Sequence, residues 1–283
     1  MTPQQQVEKI LGEAIILSTP LVDGNLSWHC WDGPRDSRPL LLLHGGFGSW
    51  THWLANIPTL RRSHSLWAVD IPGLGASAAM PEPATLEHFA SLILDSLNRL
   101  HGTDTEFDIA GFSFGALIGA HLAVLAQTRC HHFIACGAAG FDKLHVQVDL
   151  LRPPTPDTPA QEASRIHRHN LSTLMFASED SVDELAIFLH GDNLARARFN
   201  SRRLARGDGF AKALPDISAR LCGIWGSEDA TAGGKPGIAQ REALFRSYQP
   251  HCAFHLMEGI GHWAMYEAAQ GFNRLALEEL GKD

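Results

Sequence analysis

The chain reads as an α/β protein built on a mostly parallel, doubly wound sheet with one helical insertion. Three observations predict this class. Short apolar runs alternate with stretches of helical period along most of the 283 residues. Several of those runs are apolar throughout, as expected where both faces of a parallel sheet are covered. The alternation then stops between about residues 141 and 215 and resumes afterwards.

Taken in order, the predicted strands are LSWHCW (26–31), LLLL (40–43), LWAVD (66–70), FDIAG (107–111), FIAC (133–136), LCGIW (221–225) and AFHLM (253–257). In TLEHFASLILDSLNRL (85–100), Leu86, Phe89, Ile93, Leu97 and Leu100 share one stripe of a 3.6-residue period. ALIGAHLAVLA (116–126) is a second helix. A last helix is predicted from about Trp263 to Leu280, with Met265, Ala268, Phe272 and Leu275 on one side. The interruption opens on RPPTPDTP (152–159) and continues with helical patterns such as SVDELAIFLHG, where Val182, Leu185, Ala186 and Leu189 align. Residues 1–140 and 216–283 are therefore expected to form one core, and 141–215 a helical cap over it.

Composition narrows the function classes. The chain is 45% hydrophobic, enough for an ample core, and carries a net charge of −8 without a lysine- or arginine-dense face, which argues against a nucleic-acid partner. No run of about 18 apolar residues is present, so no membrane span is expected. The N-terminal MTPQQQVEKILGEAIIL lacks the pattern of a secretory signal. The five cysteines are odd in number and scattered, and read as buried free thiols of a reducing, cytoplasmic compartment. No metal site is expected: His131 and His132 are adjacent and point to opposite faces of a strand, and HRH (167–169) has no further ligand at fitting spacing.

The chemistry concentrates in GFSFG (111–115), which follows the FDIAG strand and precedes a helix. That is the setting of a G-x-S-x-G nucleophile turn. Ser113 would sit on a strained corner, and glycines at 111 and 115 would relieve crowding against the adjoining strand and helix. A serine hydroxyl is a weak nucleophile and needs a base oriented by an acid. Asp229, just past LCGIW, and His262, just past AFHLM, follow Ser113 in the order serine, acid, histidine. Glu228 is the competing acid; Asp229 is preferred because its longer loop offset reaches a histidine at the neighbouring strand end. HGGFGSW (44–50), after LLLL, suits an oxyanion-binding loop. The expected donors are the backbone N–H of Phe114 and that of Gly46 or Phe47. His44 is read as shaping that loop. IPGLGAS (71–77) lacks the third glycine of a dinucleotide fingerprint and is read as a turn beneath the site.

These pieces (HGGFG, DIPGLGAS, GFSFGA, the aspartate of WGSEDA and GHWAMYE) resemble the α/β-hydrolase fold family from about residue 38 to 283. GHWAMYE followed by GFNRL also resembles the carbon–carbon bond hydrolases that cleave aromatic ring-fission products. That resemblance implies a substrate-lining role for Trp263 and a carboxylate-binding arginine in the cap, which ARARFNSRRLAR supplies at Arg196, Arg198, Arg202, Arg203 and Arg206 without singling one out, Arg196 and Arg198 being put forward first. The sequence departs from that subgroup at Phe112, where an asparagine is usual, and lacks its longer glycine–proline oxyanion loop. The expectation is therefore a serine hydrolase of small, partly hydrophobic carboxylic esters, with Phe112 and Trp263 among its substrate contacts and no cofactor. The alternatives are the carbon–carbon bond hydrolase and a non-catalytic small-ligand receptor. The expected partner is a small-molecule substrate, with no nucleic acid and no membrane; a homodimer is left open.

Overall fold

Eight strands make one sheet in the computed structural model, which describes residues 1–141, 146 and 148–282. They are β1 (Ile15–Leu21), β2 (Gly24–Trp31), β3 (Leu40–Leu43), β4 (Leu66–Val69), β5 (Phe107–Phe112), β6 (Cys130–Cys136), β7 (Arg220–Gly226) and β8 (Ala253–Met257). Their spatial order is β1-β2-β4-β3-β5-β6-β7-β8. β2 pairs antiparallel with both β1 and β4, and every pairing from β4 onward is parallel. All seven predicted strands are present. β1 was not predicted.

Two apolar layers explain the uninterrupted hydrophobic strands. In β3, Leu41 and Leu43 enter one layer, with Phe107, Ile109, Phe133 and the helices Leu86–His101 and Phe114–Ala126. Leu40 and Leu42 enter the other, with Phe112, Ile134, Ile224 and the helix Ala269–Leu280. All four leucines are fully buried. At roughly 2 kcal/mol for each buried leucine side chain, a polar residue on either face of β3 would be strongly destabilising.

The helix Leu86–His101 starts where Thr85 Oγ1 accepts from His88 N (3.2 Å), and it buries Phe89, Ile93 and Leu97 along the expected stripe. Phe114–Ala126 is apolar nearly all round because it lies within the fold, with ten of its residues buried. Between β6 and β7 the described residues form helices only: Ala160–Leu174, Glu184–Arg196, Arg202–Ala205 and Gly209–Ala213, with 3-10 turns. Leu171, Ala186 and Leu189 of this stretch are buried in the second layer. The expected terminal helix is in fact two, Ala264–Glu267 and Ala269–Leu280, broken at Ala268 (φ −128°, ψ 50°). The Glu267 carboxylate turns back to accept from Gly261 N (2.7 Å) and Ala177 N (3.1 Å), bonds that a continuous helix does not require. All five cysteines are buried and unbridged.

Candidate active site

Strand β5 ends and a helix begins within one residue, and Ser113 is that residue. Its φ of 52° and ψ of −112° lie outside the regions a side chain prefers, a strain of order 1–3 kcal/mol. The corner is held by Ser113 N donating to Cys136 O (2.9 Å) and by Ser113 O accepting from Ala139 N (3.2 Å) and Leu117 N (3.1 Å). A β-carbon on Gly111 would lie 2.6 Å from Ala116 Cα, and one on Gly115 would lie 2.3 Å from His44 O. Both flanking glycines are thus required by close backbone approach.

β7 and β8 deliver the other two groups. Asp229 follows β7 and is fully buried; His262 follows β8 and is 4% exposed. His262 Nδ1 donates to Asp229 Oδ2 (2.8 Å). The other carboxylate oxygen accepts from Thr231 N (2.8 Å) and Thr231 Oγ1 (2.7 Å). Burial pushes the Asp229 carboxyl up, but the His262 ring and the Thr231 donors outweigh it and hold the group ionised, below its usual range. Glu228 turns elsewhere and accepts from Ser227 Oγ (2.8 Å). With Nδ1 committed to Asp229, Nε2 is the ring nitrogen left to act as a base, and it has no hydrogen-bond partner among the described residues. Ser113 and His262 border the same cavity of about 430 Å³, and the Phe112 ring lies 4.9 Å from the imidazole centroid. No hydrogen bond joins Ser113 Oγ to His262 in this structure; nucleophile–base bonds of this kind tighten around the reacting group.

The HGGFG loop borders the cavity at Gly46 and Phe47. Phe47 is a second strained non-glycine residue (φ 55°). The Phe114 N–H opens its helix, where no intrahelical acceptor exists. Neither it nor the Gly46 and Phe47 N–H groups has a loop or side-chain acceptor among the described residues. His44 anchors this loop: Nδ1 donates to Gly45 O (2.8 Å) and Nε2 accepts from Ile71 N (2.9 Å). Burial pushes its imidazole pKa down, in keeping with a neutral ring. The IPGLGAS turn braces the loop through Asp70, which accepts from Trp50 N (2.8 Å) and Ala76 N (2.8 Å).

Three sequence candidates lie away from the cavity wall. Trp263 is 1% exposed, donates Nε1 to His52 O (3.0 Å) and stacks on Tyr266 with centroids 4.3 Å apart; it is a core residue under the histidine loop, not a cavity wall. Arg196 pairs with Asp192 (3.0 Å) on its own helix. Arg198 bonds the carbonyls of Gly75 and Ser77 and so clamps the IPGLGAS turn. The cap arginines that line the cavity are Arg202 and Arg206, joined by Arg152. All three are exposed at its mouth, without an ion pair among the described residues. Phe112 does line the cavity. Sequence reasoning missed Thr231, Ser201, Glu267 and Gly137. At Gly137 (φ 51°) a β-carbon would come within 3.0 Å of His262 Nδ1. A glycine immediately after an apolar strand was the available signal for that close approach.

Residues 40–275 match the model of the Alpha/beta hydrolase family, and the chain belongs to that family. It is a hydrolase. The 2-hydroxy-6-oxononadienedioate/2-hydroxy-6-oxononatrienedioate hydrolase of Cupriavidus pinatubonensis is 24% identical over 280 residues, covering 89% of this chain and 90% of that one. The dihydrolipoyllysine-residue acetyltransferase component of the acetoin cleaving system of Pseudomonas putida is 31% identical over 263 residues, 88% of this chain but 65% of that longer protein. Among solved structures, naproxen esterase from Bacillus subtilis superposes with a TM-score of 0.73 at 16% identity over 98% of this chain and 96% of that one. A point mutant of the meta-cleavage product hydrolase CumD gives a TM-score of 0.73 at 18% identity over 94% and 98%. These two similarities concern the fold alone.

Proposed function

We propose that the chain is a serine hydrolase of small, partly hydrophobic carboxylic esters, working through Ser113, His262 and Asp229. One observation carries this reading: the buried Asp229–His262 bond (2.8 Å) leaves a basic imidazole nitrogen beside the cavity into which the strained Ser113 corner opens. His262 Nε2 takes the Ser113 proton as Oγ attacks the ester carbonyl, and Asp229 stabilises the imidazolium. The oxyanion is received by the N–H groups of Phe114 and of Gly46 or Phe47, each such donor being worth about 3 kcal/mol in related chemistry. His262 then protonates the leaving alcohol. Water attacks the acyl-enzyme with His262 again as base and frees the acid. The helices of 141–215 serve as the lid, and Phe112, Phe141, Leu174 and Met175 supply apolar wall to the acyl group.

A second reading is favoured by the three arginines at the cavity mouth. Arg152, Arg202 and Arg206 suit a carboxylate on the substrate, as in the dienedioate named for the Cupriavidus relative. The same Ser113, His262 and Asp229 would then serve carbon–carbon bond cleavage. Purified protein is assayed with p-nitrophenyl acetate and, by loss of its absorbance, with a 2-hydroxy-6-oxo-dienoate. The ester reading expects kcat/KM for the ester to exceed that for the dienoate; the reverse order supports the second reading. Turnover of neither, across a wider ester panel, contradicts both.

A further inference from the structure

The lid supplies one polar group that the mechanism above leaves unused. Ser201 lies between the helices Glu184–Arg196 and Arg202–Ala205, is 3% exposed, and lines the cavity. Its hydroxyl sits against the oxyanion loop: a β-carbon on Gly46 would be 2.3 Å from Ser201 Oγ and 3.7 Å from Phe114 Cβ. Gly46, one of the residues proposed to carry a backbone donor, is therefore its immediate neighbour, and Phe114 borders the same Gly46 position. Its carbonyl accepts from Ala205 N (2.9 Å), but Oγ has no hydrogen-bond partner among the described residues. Ser201 Oγ is not one of the fully enclosed polar atoms left without a partner, so the hydroxyl opens onto the cavity it lines.

The lid is also fastened to this loop, which fixes where the hydroxyl can be. Asn193 Oδ1 accepts from Ser49 Oγ (2.7 Å) and Thr51 Oγ1 (3.3 Å), and Asn193 Nδ2 lies 3.1 Å from Thr51 Oγ1. Asn193 and Ser49 are both buried. The lid segment and the oxyanion loop thus meet twice, at Asn193 and at Ser201.

We propose that Ser201 is a third oxyanion donor, delivered by the lid, whose hydroxyl donates to the substrate carbonyl oxygen as negative charge develops on it. This rests on Ser113 being the nucleophile. It makes the lid part of the chemistry, so that full activity requires it to be docked at Asn193. A donor that strengthens only as charge develops acts on kcat more than on KM.

The test compares the parent with Ser201→Ala and Ser201→Thr on p-nitrophenyl acetate, with thermal midpoints measured in parallel. A fluorophosphonate probe is located by mass spectrometry in all three. Expected are a fall in kcat of about 10- to 100-fold for Ser201→Ala, a KM within about threefold of the parent, an unlowered midpoint, and recovery to within about fivefold for Ser201→Thr. The probe should still land on Ser113 in each. A Ser201→Ala kcat within about threefold of the parent, or a raised KM with kcat unchanged, overturns the proposal while leaving Ser113 in place. Absence of label at Ser113 in the parent overturns instead the reading on which it rests.

Discussion

Two buried aspartate–histidine pairs stand out among the described residues, one at each end of the parallel strands, and the contrast between them separates the proposed catalytic pair from a structural one. Past the C-terminal ends of β7 and β8, His262 Nδ1 meets Asp229 at 2.8 Å. Near the N-terminal ends of β5 and β6, His132 Nδ1 meets Asp108 at 2.9 Å. Both aspartates are 1% exposed or less, and both accept from a backbone N–H as well. The difference lies at the far ring nitrogen. His132 Nε2 donates to the Lys282 carbonyl (2.7 Å), whereas His262 Nε2 keeps no partner among the described residues and belongs to a cavity wall. Arg38 also supplies Asp108 with a cation 3.4 Å away. An Asp–His bond is therefore no signature of a catalytic base by itself; the proposed role of His262 rests on a ring nitrogen left open beside the cavity that Ser113 also borders.

Breaking the upper pair should abolish chemistry, and breaking the lower one should lower stability while leaving chemistry in place. Ser113→Ala is expected to lower kcat/KM for p-nitrophenyl acetate by about 10⁴-fold or more at an unchanged thermal midpoint. Asp229→Asn should lower kcat by about 10⁴-fold, through loss of the Nδ1–H tautomer, in a protein that still folds. Asp108→Asn should leave kcat within about threefold but cost about 3 kcal/mol in denaturant unfolding, because it leaves the buried His132 ring without its carboxylate. If Asp108→Asn proves as inactive as Asp229→Asn while folded, the contrast fails.

pH sharpens the same comparison. Both acceptors on His132, the Asp108 carboxylate and the Lys282 carbonyl, can only accept, so the ring carries both protons and its pKa is raised, chiefly by the Asp108 bond. A raised folded pKa contributes stability that is complete below the free imidazole value of about 6.5 and is lost as pH rises through the folded one. The midpoint difference between the parent and His132→Gln should therefore shrink as pH rises from about 5.5 to 9. A difference that grows with pH would contradict the assignment. The smallest effect is expected at Trp263. Trp263→Phe removes the bond to His52 O and should cost about 1 kcal/mol of stability, with KM within about threefold of the parent.

Much of the upper site was legible in the sequence because its demands are local. GFSFG carries its own steric logic, and a serine, acid and histidine at successive strand ends need only the strand pattern. What escaped depends on tertiary packing. β1 is an edge strand that is half exposed and includes Pro20, so its apolar alternation is weak. Whether Trp263 faces the cavity or the core is decided by His52, Phe176 and Tyr266, which are distant in sequence or on another turn. The cap arginines are closely spaced, and only the fold assigns Arg198 to a turn and Arg202 and Arg206 to the cavity mouth. The break at Ala268 has no glycine or proline to announce it; Glu267, bonded back to Gly261, accompanies it and holds the loop bearing His262.

The central claim is that the open nitrogen of His262 activates Ser113, and covalent trapping tests it most directly. A fluorophosphonate probe, followed by digestion and mass spectrometry, should place one adduct on the peptide containing Ser113, at a rate that falls at least about 10³-fold in His262→Ala. An adduct on another residue, or a rate at Ser113 that does not change when His262 is removed, would contradict it.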